Sequence, residues 1–139
     1  MRGFMNSTRM IAPQNDYIPG VCNIGRAEIK MRRALGWLGL IATVLLWALF
    51  IAMKTPAPWR LTLFVPAFLA AMGYLQAAWH FCAKFGLGGV FNFGPNVGRT
   101  DTIQQAEYRK QDRRTALRIV GLATLTATLV AVVAYLVLV

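Results

Sequence analysis

His80 is the only histidine in the chain, and it is the only ionisable side chain inside a run apolar enough to cross a bilayer. An ionisable residue in such a run is by default a candidate functional site. A ring nitrogen could ligate a haem iron or a chlorophyll magnesium, or contact a quinone, with Trp79 and Phe81 beside it. One histidine cannot supply two axial ligands from one subunit, and the alternative is a boundary histidine bonded to a loop carbonyl or a lipid headgroup. We therefore treat His80 as a candidate cofactor-binding residue, although no strong motif identifies a cofactor.

The two cysteines, Cys22 and Cys82, give with His80 at most three ligands of the kind that zinc accepts. The spacing His-x-Cys matches no strong zinc pattern, so we expect no metal site. Both cysteines are predicted on the cytoplasmic side, where thiols stay reduced, and a structural disulfide is not expected. Their simpler interpretation is as small apolar residues.

Sites for other chemistry are not indicated. The glycine-rich run FGLGGVFNFG lacks the GxxxxGK[ST] pattern of a phosphate-binding loop. The single histidine has no serine and acid partners in a triad pattern, so we predict that the chain is not an enzyme. Proton or cation coupling generally uses a carboxylate within the membrane, and the apolar runs contain none. A small transporter or channel remains an alternative in which several copies assemble.

The composition favours a lipid environment, because 57% of the 139 residues are hydrophobic and only 14% are charged. Soluble domains are usually about a quarter charged. Three uncharged runs, residues 34–53, 61–83 and 119–139, have the length of about 20 residues that a hydrocarbon core requires. We predict an all-α integral membrane protein with three transmembrane helices, too short for a second domain.

The basic residues predict its orientation. Residues 1–33 hold six lysines and arginines, residues 84–118 hold seven, and the short link 54–60 holds two. This asymmetry places the N-terminus and the long loop in the cytoplasm and the C-terminus outside. The aromatic residues agree, since Trp37 and Trp79 fall near the inner boundary and Trp59 and Tyr135 near the outer one, whereas Trp47 lies deeper.

Two basic helices are predicted beside the spans. In RAEIKMRR, Glu28 and Arg32 are four residues apart, and the helix leads without a breaker into the first span. The second is expected to begin at Thr102, where Thr-Ile-Gln-Gln fits a capping box. We interpret both as solvated helices facing anionic lipid headgroups through Arg26, Lys30, Arg33, Arg109, Lys110, Arg113 and Arg114.

Two segments are irregular but not typical of disorder. The N-terminal arm, residues 11–25, has prolines and glycines that prevent helix, yet it is rich in isoleucine and valine. The loop at residues 85–98 combines five glycines with apolar side chains. We expect the arm to dock on protein, and the loop either to enter the membrane interface or to clamp the arm.

Small residues recur at helical spacing within the second and third spans. Such residues let helix backbones approach closely, which is how helices pack in lipid. We predict packing roles for Ala67, Ala71, Gly73, Ala77, Ala123, Ala127 and Ala131. The leading functional hypothesis is a non-catalytic subunit or accessory protein of a larger complex in a bacterial-type inner membrane. Its expected partners are membrane lipids and other membrane subunits, and no nucleic acid.

Overall fold

The computed structural model describes residues 17–137. The arm before Tyr17 and the last two residues of the third span lie outside this range. The elements in chain order are α1 (Arg26–Ala52), a 3-10 helix (Ala57–Leu63), α2 (Phe64–Trp79), α3 (Ala83–Gly88), β1 (Val90–Phe91), β2 (Asp101–Thr102) and α4 (Ala106–Leu136).

Three long apolar helices dominate the fold, as the sequence predicts. Helix α1 has 27 residues, the 3-10 helix and α2 together have 23, and α4 has 31. Each exceeds the roughly 20 residues needed to cross a hydrocarbon core. The chain is thus a mostly helical, multi-pass membrane protein.

The helix ends differ in part from those predicted. Helix α1 runs unbroken from Arg26 into the first span, as expected. The second span ends at Trp79 rather than Ala83, because His80 adopts a left-handed backbone with φ 53° and the Phe81 N–H bonds back to the Gln76 carbonyl at 3.0 Å. The prediction that a capping box at Thr102 begins the last helix is wrong, since Thr102 pairs in β2 and α4 begins at Ala106.

Helix α2 lies between α1 and α4 and packs on both. The crossing with α1 is close because glycines meet across it. A Cβ added at Gly39 would overlap the backbone of Ala70, and one added at Gly73 would overlap the backbone of Gly36. The small residues at this crossing therefore allow close van der Waals packing. In lipid this packing holds helices together, because the hydrophobic effect does not act between them.

A buried arginine closes the end of the bundle opposite the arm. Arg60, in the 3-10 helix, donates from Nη1 to the carbonyl of Val137 at 2.7 Å and to that of Ala134 at 3.4 Å. Its Nη2 donates to the Thr55 carbonyl at 3.3 Å. The guanidinium thus satisfies carbonyls at the C-terminus of α4, where the helix dipole favours a cation.

At the other end, residues 17–33 and 80–118 fold together, and we call this region the polar cap. The arm forms a tight turn in which Ile18 and Cys22 pair, and Ile24 forms a parallel bridge with Asn92 of the loop. Strands β1 and β2 form a short antiparallel pair with Val90 opposite Thr102. The described part of the arm therefore docks on the chain's own loop and on α4.

Candidate functional site

His80 lies at the surface, at the junction of α2 and the polar cap. Its carbonyl accepts a hydrogen bond from the backbone N–H of Asn23 at 3.2 Å, which ties the arm to the end of α2. Its side chain borders a surface groove together with Arg26, Lys30 and Arg33 of α1. Three cations beside the imidazole make this groove suited to an anion rather than to a metal cation.

The cofactor hypothesis for His80 stays a prediction. Among residues 17–137, no three His, Cys, Asp or Glu side chains come close enough to hold a metal ion together. Cys22 and Cys82 are free thiols, both buried in the polar cap. An absorption spectrum of the purified protein tests haem or pigment binding directly, and a His80→Ala variant tests the ligand.

Glu28 is the most consequential site residue that the sequence reasoning misjudged. The prediction that RAEIKMRR is a solvated helix is wrong for this side chain, which is 1% exposed. Its Oε1 accepts hydrogen bonds from the Asn92 side-chain amide at 2.9 Å and from the Gly98 backbone N–H at 2.6 Å. The predicted pairing with Arg32 is present at 3.5 Å. A buried carboxylate with these donors fixes the loop against the first turn of α1.

Two asparagines join the arm to the loop. The side chain of Asn23 makes two hydrogen bonds to the backbone of Cys82. Its Nδ2 donates to the Cys82 carbonyl at 3.1 Å, and its Oδ1 accepts from the Cys82 N–H at 2.7 Å. The Asn92 N–H donates to the Asn23 carbonyl at 3.0 Å, and the Gly25 N–H donates to the Asn92 carbonyl at 2.8 Å. Both asparagines are fully buried.

The sequence contains a signal for this pairing. Asn-Ile-Gly at residues 23–25 and Asn-Phe-Gly at residues 92–94 are the same Asn-x-Gly triplet in the two irregular segments. A Cβ at Gly25 would lie 3.0 Å from the Cα of Phe93, which is tighter than most side-chain contacts, so the close approach of the two triplets favours glycine there.

Asp112 anchors the arm to α4. Its carboxyl accepts hydrogen bonds from the Tyr17 hydroxyl at 2.7 Å and from the Gly20 N–H at 2.6 Å, while the Thr115 hydroxyl donates to the Gly20 carbonyl at 2.6 Å. Burial raises the pKa of Asp112 above its ordinary value, and the two hydrogen bonds lower it by less. Burial and then the bond to Asp112 raise the pKa of Tyr17, which stays protonated.

The buried thiol of Cys82 lies under Arg32. The Arg32 Nη2 donates to the Cys82 Sγ at 3.0 Å, and the guanidinium carbon stands 5.8 Å from the centre of the Phe85 ring. Burial raises the pKa of the Cys82 thiol, and the nearby guanidinium lowers it by less. The thiol is therefore part of the packed cap.

The predicted packing residues lie mostly inside the bundle. Ala123, Ala127 and Ala131 are buried along one face of α4, as are Ala67, Gly73 and Ala77 on α2, whereas Ala71 is only partly buried. This surface is occupied by the chain's own helices.

The predicted headgroup residues fall into three environments. Arg26, Lys30 and Arg33 are exposed along the groove beside His80. Arg109 is also exposed, but its Nη1 donates within the cap to the Ile103 carbonyl at 2.8 Å. Lys110, Arg113 and Arg114 are exposed on the extension of α4 beyond its span.

Comparison of the chain with protein-family models, with curated proteins and with solved structures gave no match.

Proposed function

We propose that the chain is a non-catalytic subunit or accessory protein of a larger complex in a bacterial-type inner membrane. One observation carries this proposal. Helix α4 has a second small-residue face, formed by Gly121, Thr124 and Thr128, that the chain's own packing leaves exposed. A Cβ added at Gly121 meets no atom within 4 Å.

This face is suited to a helix of another subunit. Threonine hydroxyls in lipid need hydrogen-bond partners, and those of Thr124 and Thr128 donate to the carbonyls of Val120 and Thr124 at 2.8 Å. The face is thus small without carrying an unsatisfied donor. A neighbouring helix can approach such a face more closely than one covered by leucine side chains.

The polar cap supports the same role. Its buried side chains Asn23, Glu28 and Asp112 bond to backbone groups of other segments, and the buried Asn92 amide bonds to the Glu28 carboxylate. A cap held in this way presents a fixed surface rather than a mobile tail. The cations of the cap favour the cytoplasmic side by the positive-inside bias, so we propose that the cap faces a partner on that side of the membrane.

Affinity purification of the tagged full chain from native membranes, with quantitative mass spectrometry, tests the proposal. We expect stoichiometric membrane-protein partners, and we expect Gly121→Leu to lower their recovery by roughly tenfold because the added side chain holds the partner helix away. Ala42→Leu, at an exposed position on α1, is the matched control and should leave recovery unchanged.

Thermal unfolding in detergent should show that both variants remain folded. A protein recovered only as a monomer, or only as a complex of identical copies, would contradict the assignment. So would recovery of the same partners with wild type and Gly121→Leu.

A further inference from the structure

The groove beside His80 has the charges of an anion site and borders the membrane. Arg26, Lys30 and Arg33 recur at the spacing i, i+4, i+7, so they project from one face of α1. His80 closes the groove from the end of α2, Ile29 lines it, and its volume is about 360 Å³. The groove lining, all within the described residues, includes no acid.

The acid closest in sequence is directed elsewhere. Glu28 lies on the opposite side of α1, where it is buried and bonded to Asn92, Gly98 and Arg32. The three groove cations therefore keep their charge available to a ligand, and the imidazole can donate one hydrogen bond. Phosphate oxygens are the acceptors that such a set recognises.

The same face of α1 continues into the span. Trp37 is one turn beyond Arg33, is 54% exposed, and meets Tyr74 edge-on with ring centres 5.7 Å apart. Ile41 and Val44 follow at helical spacing and are exposed. Along this face the cations come first, then an interfacial aromatic ring, then apolar side chains. This is the order of the headgroup, glycerol and acyl chain in a phospholipid.

We propose that this face of α1, together with His80, binds one anionic glycerophospholipid. Arg26, Lys30 and Arg33 hold its phosphate, with the His80 imidazole as a further donor. Trp37 lies at the glycerol, and the apolar residues beyond it contact an acyl chain. The groove cations alone would bind free phosphate as well as a phospholipid headgroup. The apolar residues beyond them favour the lipid, because only the lipid has an acyl chain to contact them.

Native mass spectrometry of the delipidated full chain in detergent tests this proposal by titration with phosphatidylglycerol. We expect one lipid to bind at least about tenfold more tightly than phosphatidylcholine, because attraction to each added cation favours the net negative headgroup. Replacing Arg26, Lys30 and Arg33 together by glutamine should weaken binding by on the order of tenfold or more. His80→Ala and Trp37→Ala should each weaken it by a few-fold.

Replacing Lys110, Arg113 and Arg114 together by glutamine removes the same charge from the other basic helix and is the matched control. We expect binding to be unchanged in this control. Arg26→Lys combined with Arg33→Lys should retain most binding, which separates loss of charge from loss of folding.

Equal losses in the two glutamine triples would show only diffuse surface charge and would overturn the site. Equal affinity for phosphatidylcholine, or displacement of the lipid by millimolar inorganic phosphate, would overturn the assignment of the ligand. None of these outcomes depends on the partner proposed for α4, because the titration uses the purified chain alone.

Discussion

The side-chain amide of Asn92 donates a 2.9 Å hydrogen bond to the carboxylate of Glu28, although 64 residues separate them in the chain. The same carboxylate oxygen accepts the backbone N–H of Gly98 at 2.6 Å. Asn92 itself accepts the Gly94 N–H at 3.0 Å, so the loop and the first turn of α1 share one hydrogen-bonded centre. Because Glu28 is buried, this centre is shielded from water.

Glu28→Ala should destabilise the polar cap by about 2–4 kcal/mol, because it removes the acceptor of the Gly98 N–H and leaves one donor hydrogen of the buried Asn92 amide without a partner. Unfolding of the detergent-solubilised protein, followed by the exposure of its buried cysteines to a thiol-reactive dye, measures the change. Glu107→Ala removes an exposed acid from the same region and is the control. Equal stability of the two variants would show that the Glu28 contacts contribute nothing.

Asp112 predicts a pH dependence for docking of the arm. A carboxyl whose pKa is raised in the folded state stabilises that state fully below its ordinary pKa, and this contribution is lost as pH rises through the raised pKa. Hydrogen exchange should therefore show residues 17–25 better protected in mild acid than at neutral pH. Asp112→Asn should abolish the difference, since its uncharged amide can accept the Gly20 N–H through its oxygen and donate from its NH2 to the Tyr17 hydroxyl oxygen. Protection that increases with pH would contradict this sign.

Asp112→Ala is a separate test of the same anchor. It leaves the Gly20 N–H without its acceptor, and we expect a loss of about 1–3 kcal/mol in the docking free energy of the arm. Limited proteolysis at the arm measures the loss. The substitution Asp101→Ala, at an exposed acid in β2, is the control and should leave the cleavage rate unchanged.

The glycines at the crossing of α1 and α2 should be intolerant of even one methyl group. Gly39→Ala and Gly73→Ala place a Cβ against the facing backbone, which cannot move aside as a side chain would. We expect each to cost about 1–3 kcal/mol or more in unfolding free energy. Gly121→Ala meets open space and should change it by less than about 0.5 kcal/mol. Unfolding in mixed detergent measures all three, and a similar cost at Gly121 would contradict the crossing.

The two native thiols should react slowly with maleimide. Burial raises the pKa of Cys22 and of Cys82, and it also blocks access to both sulfur atoms. A cysteine placed at Val21, which is 59% exposed, should react at least about tenfold faster in the folded protein. All three should react alike in denaturing detergent. Rapid labelling of Cys82 in the folded state would mean that the cap opens readily.

The sequence predicted the parts of the fold that depend on apolar length. Three uncharged runs defined three helices, and the continuous α1 followed from the lack of a breaker after Arg26. The end of α2 was missed because His80, rather than a glycine, takes the left-handed conformation. The start of α4 was missed because Thr102 forms a tertiary strand pair, which overrides a local capping pattern.

The candidate site was less predictable, because burial of a polar residue depends on contacts distant in the chain. Glu28 and Asp112 occur in basic helices, and nothing in their local pattern distinguishes them from the exposed Glu107. Arg60 was counted as a loop cation, although it binds carbonyls of a helix that begins more than forty residues later. The cations beside His80 were predicted to face headgroups, but their juxtaposition with the imidazole required the tertiary structure.

The anchorage of the arm on α4 affects how the protein is made. Tyr17 and Gly20 are among the first described residues, and their partners Asp112 and Thr115 are synthesised more than ninety residues later. These contacts with α4 can therefore form only after both earlier spans have been synthesised. A nascent chain that stops before α4 can still bond Asn23 to Cys82, but it leaves the Tyr17 hydroxyl and the Gly20 N–H without their partners, so the undocked start of the arm marks an unfinished copy for quality-control proteases.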